Sequence, residues 1–195
     1  MKLVQLVGPD ASGKSSIWRQ LIKDHLETSN NNSKVVFIRE PNDLELINMI
    51  KESVDVFEKI KLYALDRQQL YKKFENDPPE IIVSDRSYIC SLVYQSLQVE
   101  LECDVPLYTA IEIVMNNQHQ IRVPDLVIYT YAQPSTLYDR CVNRGEFMTP
   151  QYAQQLMRRY ELVFELFKLN VIKINTDEFD MDAIIKLVNE KIRGL

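Results

Sequence analysis

KLVQLV (2–7) runs directly into GPDASGKSS (8–16), and this junction decides the fold. The first stretch is apolar and short enough to read as a buried strand. From Lys14 to about residue 28, Ile17, Trp18, Leu21, Ile22 and Leu26 recur at helical spacing. Between strand and helix stand Gly8, Gly13, Lys14 and Ser15, the spacing of a phosphate-binding loop. The chain has 4 glycines, and two of them bracket this loop. Glycines let successive N–H groups curl around one anion at the positive end of the following helix. In such a loop the lysine reaches the β- and γ-phosphates, and the serine hydroxyl ligates Mg²⁺.

Outward from the loop, strands alternate with helices. KVVFI (34–38), IIVS (81–84), DLVIYTY (125–131) and VIKI (171–174) read as further strands. SNNNS (29–33) is a turn, and helical material from about Asp43 to Phe74, broken near Ser53, is stopped by NDPPE (76–80). Helices follow over 87–99, 107–121, 134–144, 150–169 and 180–192, with CDVP (103–106) and residues 145–150 as breaks. The pattern predicts an α/β fold, a five-stranded parallel sheet with helices on both faces, in a single domain over 1–195. Ligands of such sheets bind beyond the carboxyl ends of the strands.

A formal charge of -5 argues against nucleic acid or an anionic membrane as partner. No apolar run approaches the ~20 residues of a membrane span. Cys90, Cys103 and Cys141 lie outside any C-x-x-C spacing, and His25 and His119 stand near no cysteine pair, which argues against a zinc site and points to a reducing, cytoplasmic setting.

The residues after the other strands carry the remaining chemistry. Arg39-Glu40-Pro41 follows the second strand, and Asp85-Arg86 follows IIVS. Asp85 has the position of the acid that holds Mg²⁺. Two arginines at adjacent strand ends make a fork for a second anion, the glycine loop claiming the first. Two facing phosphate sites suit phosphoryl transfer rather than hydrolysis. A GTPase would carry an N-K-x-D after a later strand, which is missing, and the chain is too short for a motor core. A nucleoside or nucleotide kinase remains.

GPDASGKSS, FIREP (37–41), KLYALDRQQ (61–69), IIVSDRSYICSLVYQ (81–95) and PDLVIYTYAQPSTLYDRCVNRG (124–145) occur in the order and spacing of thymidylate kinases, which the chain resembles from Met1 to about Tyr160. The resemblance implies a P-loop kinase fold, transfer of the γ-phosphate of ATP to dTMP, Mg²⁺ dependence and a homodimer. It implies a donor site made of Gly8, Asp10, Ser12, Gly13, Lys14, Ser15 and Ser16, with Arg144 against adenine and Mg²⁺ on Ser15 and Asp85. Asp10 would contact the acceptor sugar's 3′-hydroxyl, and Arg39 and Arg86 the acceptor phosphate. Tyr63 would stack on thymine and Arg67 would hydrogen-bond its carbonyl. Ser91, Tyr94 and Gln95 would line the sugar and base pocket, and Tyr152 would approach from the lid, NRGEFMTPQY (143–152). Lys14, Asp10, Arg39, Arg86 and Asp85 form the implied catalytic set.

The chain departs from the family pattern where such kinases supply an arginine to the migrating phosphoryl group. Ala11 and Gln151 occupy the usual places, leaving Arg140, Arg144, Arg158 and Arg159 open. REPND (39–43) lacks following glycines, and Ser87 stands where an aromatic or histidine is common. Two other readings stay open: a deoxynucleoside kinase with Glu40 as base, and a nucleotide-binding module without catalysis. Read singly, Tyr63 is also a plausible core residue, Arg67 an exposed ion-pair partner of Asp66, and Tyr152 a surface aromatic.

Overall fold

The computed structural model describes residues 1–28, 34–118 and 122–195. Among them are five strands and eight helices, and every strand pairing is parallel. The strands are β1 (Lys2–Val7), β2 (Val35–Arg39), β3 (Ile81–Asp85), β4 (Leu126–Tyr131) and β5 (Val171–Asn175), in the order β2-β3-β1-β4-β5. β1 and β3 are buried on both sides, which is why they read as continuous apolar runs.

Alternation along β1 sends its side chains to two cores. Val4 and Leu6 pack with Ile17 and Leu21 of α1 (Lys14–Thr28) and with Ile184, Ile185 and Val188 of α8 (Met181–Arg193). Val7 faces the larger core, built from α3 (Val56–Lys72), α4 (Tyr88–Cys103), α5 (Leu107–Asn116) and α7 (Pro150–Leu166). The two remaining helices, α2 (Leu44–Glu52) and α6 (Pro134–Val142), lie against α3 and α7 respectively.

Several boundaries differ from the sequence reading, each for a local reason. β2 and β3 each run one residue further, because Arg39 and Asp85 are register partners on adjacent strands. The break read near Ser53 is present, by contrast, and divides the stretch after Asp43 into two helices: Asp43 caps α2 by accepting from Glu45 and Leu46 N–H, and Asp55 caps α3 through Phe57 N–H. α4 continues through Cys103 and stops at Asp104, which takes a left-handed conformation (φ 50). α5 ends at Asn116, well before residue 121; residues 119–121 and the turn assigned to 29–33 lie outside the described residues. None of the described helices is long and apolar enough to cross a membrane.

Candidate active site

The carboxyl ends of β1, β2 and β3 bring the glycine loop, Arg39, Asp85 and Arg86 together. Ser15 Oγ donates to Asp85 Oδ2 at 2.9 Å, tying the helix that follows the loop to the end of β3. Arg39 Nε stands 3.5 Å from the same oxygen. Asp85 is fully buried, and its Oδ1 has no hydrogen-bond partner among the described residues. A buried carboxylate oxygen left unpaired is costly, and beside a serine hydroxyl it forms a donor set suited to Mg²⁺.

The loop is braced from behind. Gly8 (φ +147) lies so close to β4 that a Cβ there would meet the Thr130 carbonyl oxygen at 2.1 Å. Its own carbonyl accepts from Lys14 Nζ (2.8 Å) and from the Tyr160 hydroxyl (3.0 Å). Lys14 Nζ also donates to the Pro9 carbonyl at 2.6 Å. Burial pushes the Lys14 ammonium below its ordinary pKa, against the opposing charge of Asp10.

Two cavities open on this arrangement. One, of about 440 Å³, is lined by the loop from Gly13 to Ser16, by Ala11 and Asp10, and by Arg19, Arg39, Arg86 and Arg144. The other, of about 510 Å³, is lined by Tyr63, Arg67, Ser91, Tyr94, Gln95 and Tyr152, together with Glu40 and Cys90. Asp10 and Arg86 line both. Their side chains pair at 3.0 Å, and Asp10 N–H donates to the Tyr94 hydroxyl at 2.8 Å. Burial alone would raise the Asp10 carboxyl, but the charges of Arg86 and Lys14 and a hydrogen bond to Tyr94 outweigh it and hold it low. Arg86 itself sits at φ 76, and its N–H bonds the Leu6 carbonyl at 3.0 Å. A left-handed non-glycine residue at a strand end is strained, and here it turns a guanidinium towards the loop.

Within the larger cavity, Arg67 is buried and held by three acceptors. Nε donates to Glu40 Oε2 at 2.7 Å, Nη2 to Ser91 Oγ at 3.2 Å, and Nη1 to Gln118 Oε1. Asp66 faces the other way and is no partner of Arg67 in an exposed pair. Its carboxylate accepts the Asn42 and Asp43 N–H groups at 2.9 and 2.7 Å, which fixes the turn after Arg39-Glu40-Pro41 without glycines. Burial raises the Glu40 carboxyl, against the opposing charge of Arg67. Gln95 is buried with neither amide atom bonded among the described residues.

Two loop residues stand differently from their implied donor-binding place. Ser12 is fully buried, with its hydroxyl 2.7 Å from Thr130 Oγ1 and its N–H on the Pro9 carbonyl, and it lines neither cavity. Gly8 lines neither cavity either; both hold the loop against β4. Arg39 opens to the loop cavity and not to the larger one. Of the four arginines left open, Arg140 is engaged by the Ala11 and Thr176 carbonyls, the Thr176 hydroxyl and Asp177, and Arg159 by Ser96 and Glu100. Arg144 lines the loop cavity beside Glu146, whereas Arg158 lines neither. The sequence reading missed Gln118, Tyr160 and Arg19, which carry no local motif.

The family profile described as thymidylate kinase matches residues 6–184. A probable thymidylate kinase from Methanobrevibacter smithii is 28% identical over 188 residues, covering 92% of this chain and 89% of that protein. The thymidylate kinase of Malacoplasma penetrans is 29% identical over 194 residues, covering 88% and 86%. The solved thymidylate kinase of Candida albicans superposes with a TM-score of 0.75 at 14% identity, over 99% of this chain and 91% of that one, a likeness of fold. With a strand–loop–helix junction, two cavities joined by Asp10 and Arg86, and a profile match spanning nearly all of its length, the chain belongs to the thymidylate kinase family.

Proposed function

We propose that the protein transfers the γ-phosphate of ATP to dTMP, giving dTDP. The observation that carries this reading is the Asp10–Arg86 pair on the wall shared by the two cavities. The loop cavity takes the phosphates of ATP against the N–H groups of Gly13 to Ser16 and the Lys14 ammonium. Ser15 and Asp85 hold Mg²⁺, which neutralises phosphate charge when bound. Arg39 and Arg86 meet the acceptor phosphate, and Arg144 serves the donor side as the member of the open set that lines that cavity. In the larger cavity Tyr63 stacks on the base and Arg67 donates to its carbonyl. Ser91, Tyr94, Gln95 and Tyr152 line the rest, and Asp10 accepts from the sugar hydroxyl. A phosphate oxygen is already a nucleophile at neutral pH, so the chain supplies position and charge and no base.

The alternative with an uncharged acceptor hydroxyl needs Glu40 as a free base, and Glu40 is engaged by Arg67 at 2.7 Å. The same proposal includes one kinase domain over 1–195 with residues 143–152 closing as a lid, a cytoplasmic setting, and no nucleic-acid or membrane partner. It also includes a homodimer, for which exposed Phe57, Leu65 and Leu101 on α3 and α4 offer apolar surface. Transfer of label from γ-labelled ATP into dTDP, abolished by chelating Mg²⁺, tests the reaction. Light scattering at working concentration tests the dimer.

A further inference from the structure

We infer that Gln118 is a positioning residue that makes Arg67 a rigid, donor-only reader of the acceptor base, and so sets thymine against cytosine. This rests on the proposed dTMP reaction. A guanidinium has five N–H donors in a fixed plane and no acceptor. Glu40 takes the Nε donor, Ser91 one on Nη2 and Gln118 one on Nη1, leaving the second N–H of each terminal nitrogen. Arg67 lines the acceptor cavity, and because a guanidinium has no acceptor, anything it offers a base there is an N–H donor.

Thymine presents a carbonyl oxygen at its 4-position, and cytosine presents an amino group. A carbonyl satisfies such donors. An amino group facing them leaves buried donors on both sides unpaired, the arrangement by which polar sites discriminate most strongly. The rejection lasts only while the guanidinium cannot turn aside. Gln118 sets that restraint. It stands just beyond α5 and is buried. Its Nε2 donates to the Val114 carbonyl at 3.3 Å and its N–H to Met115 O at 2.9 Å, so its amide oxygen is committed to Arg67.

Gln95 provides the contrast. Both its amide atoms lack partners among the described residues, so nothing there fixes which edge it shows. An unconstrained carboxamide meets a donor or an acceptor equally well by turning over. It binds either pyrimidine, and discrimination falls to the clamped arginine.

The test compares kcat/KM for dTMP and dCMP in the full chain, with ATP and Mg²⁺ saturating. Gln118→Leu is expected to lower the dTMP:dCMP ratio on the order of tenfold or more, with the KM for ATP unchanged. Gln118→Glu restores an acceptor and keeps the ratio within about threefold of wild type. Gln95→Leu lowers both substrates together. A folded Gln118→Leu protein with an unchanged ratio, or with both substrates reduced equally, overturns the clamp. If Gln118→Leu does not fold by thermal melting, Gln118→Asn, which keeps polarity but shortens the reach, carries the same expectation and the same refutation. Wild-type protein that leaves dTMP unphosphorylated overturns the reaction itself, a result read before any variant is made.

Discussion

Asp10 and Arg86 pair at 3.0 Å where the glycine-loop cavity meets the cavity lined by Tyr63 and Arg67. Asp10 comes from the loop and Arg86 from the end of β3, so the pair joins the loop to the strand that carries Asp85. In the proposed transfer, an anion entering either cavity meets Arg86 already oriented by a carboxylate, which lowers the reorganisation required.

Arg39 and Arg86 are predicted to separate by substrate. Arg39→Ala raises the KM for dTMP strongly, by about tenfold or more, and the KM for ATP by a smaller factor, since Arg39 lines the loop cavity beside Asp85. Arg86→Ala, which removes a group lining both cavities, lowers kcat as well. Initial rates over a matrix of both substrates read the difference. An unchanged dTMP KM in Arg39→Ala contradicts the two-phosphate arrangement.

Lys14→Met removes the ammonium that bridges the Gly8 and Pro9 carbonyls inside the loop. Turnover is expected to fall on the order of 100- to 1,000-fold, the scale of losing one preorganised charge at a transferring group. Circular dichroism of the variant should match wild type, because the loop remains braced by Ser12 and Thr130.

Gly8→Ala places a Cβ against the Thr130 carbonyl at 2.1 Å, in a backbone conformation that L-residues avoid. A stability loss of more than about 2 kcal/mol is expected by urea denaturation. Gly145→Ala is the control: nothing lies within 4 Å of its Cβ, so only its left-handed backbone resists, at about 1 kcal/mol.

Acidification should expose Asp10. Against burial, which alone would raise it, its carboxyl is held below the ordinary carboxylate range in the folded chain by Arg86, Lys14 and Tyr94. A depressed acid stabilises the fold at pH values above its unfolded pKa, and that contribution disappears as pH falls through the folded value. Asp10→Asn is therefore expected to lose less stability than wild type as pH falls below about 4, by urea midpoints.

The sheet and the loop were legible because their signals are local. Val4 and Leu6, or Gly8 and Gly13-Lys14-Ser15, are read within a few residues of each other. Asp85 and Arg86 were legible because parallel sheets put chemistry at strand ends. The supports of those residues were not. Gln118 meets Arg67 across 51 residues, and Tyr160 meets Gly8 across 152, so only packing of α5 and α7 on the sheet creates the contacts. Ser12 adds a contact of the same kind: its loop position implies the donor site, and its hydroxyl also meets Thr130 across 118 residues, on the neighbouring strand. Asp66 looked like a partner for Arg67 by adjacency, yet neighbours along a helix do not face each other.

In the proposed reaction the acceptor is a nucleoside monophosphate, held by Arg39 and Arg86. Initial rates with dTMP and with thymidine, at equal concentration with ATP and Mg²⁺, test it most directly. Rapid formation of dTDP from dTMP is expected, with little or no dTMP from thymidine. Faster turnover of thymidine would contradict it and return Glu40 to consideration as a base.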